Sequence, residues 1–335
     1  MSAHEIEARS NPWRKRLKEF SRNKLLFTGS ILGVFIVGLG LIGPLFIGSD
    51  YGQQALRDAH LTPFSEGYLL GTDQYGRDLL VRLCIGIRVS LFVAAAVTSM
   101  ALVVGMALGM CGGFLGGSID RVVRSVTDFV WGFPLILVAV LLAGGLGQGL
   151  FPVILAVGIV NVAAITRVVR GEVVVLRSKE FVEAARACGV PNFRIMWRHL
   201  MPNVMAPALV LASYYVAVAI IAEAGLPFIG LGAHPPLPSL GKMVADGRGF
   251  LRINHWESTV PGIAIALLVL SVSLIGDGLR DVFDPQQRRH RFDDGLQYCR
   301  RAGHGRFLRS RGRFRQRIGA WLRRLLPRDQ LPRRC

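Results

Sequence analysis

Residues 129–166, FVWGFPLILVAVLLAGGLGQGLFPVILAVGIVNVAAIT, form a run of 38 positions without a charged side chain. An α-helix crosses a hydrocarbon core of about 30 Å with about 20 apolar residues. The run is therefore too long for one crossing and long enough for two. Gly144, Gly145, Gly147, Gly149 and Pro152 interrupt its middle with residue types that favour turns over helix interiors. We divide it there into two spans joined by an uncharged turn.

Working outward, 25–48, 89–119, 200–222 and 258–276 are likewise free of charge and long enough to span. Together they predict six helices, at 25–48, 89–111, 121–143, 150–171, 203–225 and 257–277. A mean hydropathy of +0.42 and 51% hydrophobic residues agree with an all-α integral membrane protein. The first span follows a polar arm and runs longer than a signal core, so a retained anchor is expected rather than a cleaved leader.

Lys and Arg in short loops resist translocation and so set orientation. The arm 1–24 carries Arg9, Arg14, Lys15, Arg16, Lys18, Arg22 and Lys24, and the loop after the fourth span carries Arg167, Arg170, Arg177, Lys179, Arg186, Arg194 and Arg198. Both are expected inside, with both termini cytoplasmic. Between residues 50 and 87, three basic residues stand against five acidic ones, Asp50, Asp58, Glu66, Asp73 and Asp78, which places this segment outside.

Of the net charge of +18, residues 288–335 contribute +13 through sixteen Arg and three Asp. The rest carries only the bias of a membrane protein, so no nucleic-acid partner is expected. Cys84, Cys111, Cys188, Cys299 and Cys335 form no CxxC pair, and the seven His show no HExxH spacing. Neither a metal site nor a disulfide framework follows, and without a phosphate-binding glycine loop the chain has no visible means of hydrolysing ATP.

The loop 178–207, SKEFVEAARACGVPNFRIMWRHLMPNVMAP, is the most informative segment. Lys179 to Cys188 reads as a short helix whose Ala184, Ala185 and Ala187 admit another surface closely; Gly189 stops it and Pro191 prevents continuation. Phe193 to Leu200 alternates Phe193, Ile195, Met196 and Trp197 with Arg194, Arg198 and His199, an amphipathic pattern expected to lie along the membrane face until Pro202 redirects the chain. Helix, turn and helix make a knob suited to a groove in a soluble partner.

Glu183, Ala184, Ala185 and Gly189, with Pro202 following at the proper distance, resemble the EAA loop of binding-protein-dependent ABC importers, although His199 and Met201 replace the usual Ile and Leu. Other segments are similar to the second permease subunit of the dipeptide, oligopeptide and nickel importers. These are LGTDQYGRDLLVRL (70–83, with Val81 for Ser), GGSIDRVVRSVTDFVWGFP (116–134), FIGLGAHPPLPSLGKMVADGRGF (228–250, with Leu240 for Trp) and GDGLRDVFDP (276–285). The resemblance covers about residues 11–285. It implies a type I ABC importer permease fold in the bacterial inner membrane, over 25–285. It also implies that ATP closure reaches this chain through Glu183 to Gly189. The implied partners are a homologous second permease in a heterodimer, two cytoplasmic ATPase subunits that carry ATP and Mg, a solute-binding protein outside and membrane lipid. No cofactor is implied on this chain. Peptide is the favoured substrate, with nickel complexes or other small solutes carried by similar machinery.

Asp73, Gly76, Arg77 and Asp78 sit in an outward, glycine-bearing segment, and Asp246, Gly247 and Arg248 form a second outward cluster. Carboxylate–guanidinium pairs in them either lock the external cap or contact a peptide's termini. Asp277, Arg280, Asp281 and Asp284 follow the sixth span as helix-end anchors or as part of the coupling surface. Glu223, near the outer end of the fifth span, either reaches the interface or faces the pathway. Small residues such as Gly105, Ala107, Gly109 and 112–117 suit close helix packing. Residues 286–335 extend past the family's usual end, and their Arg-rich composition predicts disorder, with anionic lipid as first candidate partner. A secondary transporter would show inverted repeats and mid-membrane ionisable residues, and a membrane enzyme a catalytic set within the spans; the sequence shows neither clearly.

Overall fold

The computed structural model describes residues 24–47 and 50–283. The basic tail, most of the N-terminal arm and Asp284 lie outside these residues. The described chain is helical, in the order α1 (Lys24–Ile47), α2 (Leu79–Leu115), α3 (Gly117–Gly132), α4 (Leu135–Leu146), α5 (Leu150–Arg177), α6 (Glu180–Ala187), α7 (Met201–Gly225), α8 (Leu240–Gly247) and α9 (Trp256–Phe283), with short 3₁₀ turns between some of them. Five helices are long and apolar enough to cross a membrane, and a sixth crossing exists if α3 and α4 count as one bent span.

Three expectations are corrected. The second helix starts at Leu79 rather than 89, because Asp78 caps it by accepting the Leu80 N–H at 2.7 Å. Arg82 and Arg88, the charges that set the uncharged stretch to begin at 89, both lie within this helix; Arg82 is buried and paired with Asp73, and Arg88 is exposed. The third span is not a straight helix over 121–143: the chain bends by 93° between α3 and α4. Pro134 explains the break, since it forces Phe133 into an extended conformation (φ −95°, ψ 132°) and ends the preceding helix. With 12 residues, α4 reaches only about 18 Å and cannot cross alone. Finally, Pro202 does not redirect the chain. Asn192–Arg194 and a π-helical turn, Ile195–Leu200, lead directly into α7. The Met201 N–H reaches back five residues to the Met196 carbonyl, and this widened turn gives room to the proline ring that would otherwise crowd the carbonyl four residues before it.

The most extensive interface joins α2 and α5. Gly105, Gly109 and Gly113 form a stripe along α2 against Ile165, Val169 and Val173 of α5. A Cβ on Gly109 would come within 2.7 Å of Val169 Cγ1 and 2.9 Å of the Thr166 carbonyl oxygen, so the helices approach as closely as a missing side chain permits. Two apolar clusters organise the bundle. One gathers Leu83, Ile87, Val97, Val157, Ile220, Leu240 and Leu268 from α2, α5, α7, α8 and α9. The other joins Met110 and Phe114 of α2 and Val173 of α5 to Val182, Ile195 and Leu200 of the 178–207 loop. The loop is thus packed into one end of the bundle.

Candidate functional site

The knob at the α5–α7 end is built as its sequence dictates. Helix α6 ends in a Schellman motif: Gly189 stands at φ +73°, its N–H donates to Arg186 O at 2.9 Å, and the Val190 N–H donates to Ala185 O at 3.1 Å. Pro191 then holds an extended conformation that separates the two arms. Val182 is fully buried, while Glu183, Ala184 and Gly189 are exposed and Ala185 is half-buried. Pro202 is also exposed. Phe181, Phe193 and Trp197 leave 41%, 72% and 55% of their surface uncovered.

Below the knob, α2, α3 and α5 are tied by charge. The Asp120 carboxylate accepts from Arg124 Nη2 at 2.6 Å and from Arg170 through both Nε and Nη2, the latter at 3.0 Å. Arg167 donates to Asp128 at 2.8 Å and lies over the Trp131 ring at 4.5 Å. Arg177 donates to the Phe114 carbonyl at 3.0 Å, and Arg186 of α6 stacks over the Phe114 ring at 5.2 Å. Sequence reasoning read Arg167, Arg170, Arg177 and Arg186 only as signals of orientation. Their spacing from Asp120 and Asp128, across a turn of uncertain geometry, gave no means of pairing them.

At the other end of α2 the segment 50–78 forms a cap around Asp73. Its Oδ1 accepts the Tyr75 and Arg77 backbone N–H groups at 2.9 and 3.0 Å, and its Oδ2 accepts Arg77 Nε at 2.7 Å with Arg82 Nε at 3.4 Å. Arg82 also reaches the carbonyls of Tyr51 and Pro236, at 3.2 and 3.5 Å. Gly76 is at φ +70°, and a Cβ there would lie 1.8 Å from Ala55 O, so the turn admits glycine only. Asp78 serves as the helix cap instead of a guanidinium partner.

Asp246 lines a cavity of about 20 Å³ with Asp73, Arg77 and Arg82, which is room for about one water. The expected pairing of Asp246 with Arg248 does not form. Asp246 accepts from Lys242, one helical turn earlier, at 2.8 Å, and Arg248 instead lies over Phe228 at 5.3 Å. The same cavity is bordered by Glu257, whose Oε1 is 2.5 Å from His60 Nδ1. This pair links the cap to the start of α9 and was missed, because nothing in sequence marks residues 197 positions apart as neighbours.

Glu223 faces the protein interior: it is buried and accepts the Ser90 hydroxyl at 2.8 Å. Asp277 and Arg280 are exposed and Asp281 is half-buried near the C-terminal end of α9, where Gly278 packs closely on Leu26 of α1.

Residues 101–289 match the family model for binding-protein-dependent transport system inner membrane components, and residues 11–63 match that for the N-terminal transmembrane domain of oligopeptide transport permease C. The chain is 38% identical over 278 residues to the dipeptide transport system permease protein DppC of Alkalihalophilus pseudofirmus, covering 83% of this chain and 91% of that protein. It is 35% identical to the oligopeptide transport system permease protein OppC of Bacillus subtilis, with 83% and 90% covered. With the di/tripeptide permease DppC of Pseudomonas aeruginosa the identity is 36%, with 82% and 93% covered. Among solved structures, a chain of the inward-facing MetNI methionine ABC transporter shares the fold, with a TM-score of 0.51 at 18% identity over 61% of this chain and 96% of that one.

Proposed function

Because this chain belongs to the family of binding-protein-dependent transport system inner membrane components, in its peptide-permease C branch, we propose that it forms half of a peptide pathway driven by a separate ATPase. As a multi-pass inner-membrane permease it crosses six times, with α3 and α4 together as one bent crossing, and both termini face the cytoplasm. The basic loop at 178–200 then lies inside and the Asp73 cap outside, as the positive-inside bias requires.

The working unit is a heterodimer with a homologous permease, served by two ATPase subunits that hold ATP and Mg and by an external solute-binding protein. This chain binds no cofactor of its own. The observation that carries the coupling role is the combination of exposure and anchorage in α6. Glu183, Ala184 and Gly189 are presented to a partner, while Val182 of the same helix is locked into the cluster formed by Phe114 and Val173. A push on α6 is therefore delivered to the ends of α2 and α5 rather than absorbed by a loose loop. The Asp120 and Asp128 pairs extend that body to α3. Rigid-body motion of this kind is the usual currency of alternating access.

Peptide as the substrate follows from the relatives' names, which are dipeptide, tripeptide and oligopeptide permeases. The cap residues Asp73 and Arg77 act structurally, since both are consumed in mutual pairing. The test is uptake of labelled di- and tripeptides by proteoliposomes carrying the full complex. ATP-dependent uptake supports peptide; uptake of a nickel chelate with peptide excluded would reassign the cargo while leaving the machinery intact.

A further inference from the structure

Helices α1 and α9, with Leu91 of α2, enclose an apolar groove of about 470 Å³. Along α1 it extends from Ser30 to Ile42, a rise of about 18 Å, close to the thickness of one leaflet of a hydrocarbon core of about 30 Å. A groove of this length and apolar lining accommodates a single extended hydrocarbon chain. Gly38 leaves the wall open, with nothing within 4 Å of where its Cβ would stand. The hydroxyl of Ser271 is occupied by donation to Gly29 O at 3.1 Å, so the lining asks for no polar partner there.

At the Leu41 end of the groove stands Arg88. The helices cross closely here, since a Cβ on Gly40 would lie 2.7 Å from Ile87 Cγ2. Arg88 is exposed on the surface of a membrane span, where a charge is costly without a partner. Its Nη2 donates to Leu41 O at 3.1 Å, and among the described residues no carboxylate lies within ion-pair distance of it. Leu41 is seventeen residues beyond Lys24, about 25 Å along α1, which puts the guanidinium near one edge of a core of about 30 Å. Phosphate is the anion available at that depth, and guanidinium binds it in a fork geometry that ammonium does not match.

We infer that Arg88 and the α1–α9 groove form a binding site for one membrane phospholipid, with its phosphate on the guanidinium and one acyl chain in the groove. The site uses a charged residue that neither the Asp73 cap nor the ATPase-facing knob employs.

The experiment is native mass spectrometry of the complete transporter, purified from its membrane and titrated with phosphatidylglycerol or with diacylglycerol of the same chains. The native complex should hold phosphatidylglycerol at least tenfold more tightly than diacylglycerol, and Arg88→Gln should lose about tenfold in affinity, as removal of one charge-assisted contact implies. Gly38→Leu starts a side chain where a Cβ meets nothing within 4 Å, and it should lower occupancy with melting temperature unchanged. Equal binding of the two lipids, or full occupancy in either variant, would overturn the site. A crosslink between Val34→Cys and the second permease would overturn it too, by showing the groove covered by protein.

Discussion

Replacing Asp73 by Asn preserves shape and the two backbone hydrogen bonds at Oδ1, but removes the charge shared by Arg77 and Arg82. Both guanidiniums are buried, with residue exposures of 7% and 3%, so water cannot take the place of the carboxylate. Breaking a buried pair by deleting one partner costs about 3–5 kcal/mol. Arg82 keeps its bonds to the Tyr51 and Pro236 carbonyls, so the low end, about 3 kcal/mol, applies. At about 1.4 °C per kcal/mol, from an unfolding entropy of about 2.1 cal/mol/K per residue over 335 residues, the melting temperature should fall by about 4 °C. Arg77→Gln leaves Asp73 with Arg82 and loses a contact with the Tyr75 ring at 4.5 Å, so it should cost less, about 1–2 kcal/mol. Both variants are measured by thermal denaturation alongside peptide uptake. An unchanged melting temperature in Asp73→Asn would refute the reasoning. So would an Arg77→Gln complex of normal stability whose half-saturating peptide concentration rises tenfold or more, because that pattern belongs to a residue touching substrate.

Three further outcomes follow from the packing. Gly109→Val forces a side chain into Val169 and the Thr166 carbonyl and should destabilise by about 1–3 kcal/mol, whereas Gly144→Ala, with nothing within 4 Å, should leave the melting temperature unchanged. Asp120→Asn should cost about 2 kcal/mol, because its carboxylate is 11% exposed, whereas Asp128→Asn, at 65%, should change stability by less than about 1 kcal/mol. Glu223→Gln keeps an acceptor for Ser90 and should transport normally, while Glu223→Leu strands the buried hydroxyl at about 1–3 kcal/mol, read as a loss of folded complex in detergent.

Much of this organisation is legible in the residues themselves. Uncharged length marks the crossings, and Gly189 before Pro191 announces the left-handed turn that closes α6. What escapes is whatever depends on tertiary pairing. Arg88 bounds the charge-free run at 89 and Arg82 stands further back, so the first ten residues of α2 are lost until Asp73 and two carbonyls are seen to satisfy Arg82 and the Leu41 carbonyl to take Arg88. Read from sequence, one span runs across Phe133–Pro134, and the 93° bend at that step is visible only in the fold. Lys242 takes Asp246 away from Arg248 because a residue one helical turn away outcompetes one two positions along the chain, which points to another face. His60 and Glu257 meet only because the cap folds onto the start of α9.

The central claim, that α6 hands the ATPase's motion to the bundle, is tested most directly by Glu183→Arg. The side chain is exposed, so the permease pair should still assemble and keep its melting temperature. When both permeases are co-expressed with the ATPase subunits and purified, the account predicts that the variant pair loses the ATPase and ATP-dependent peptide uptake, as Gly189→Asp should also do. A Glu183→Arg complex that retains the ATPase and full uptake would contradict it.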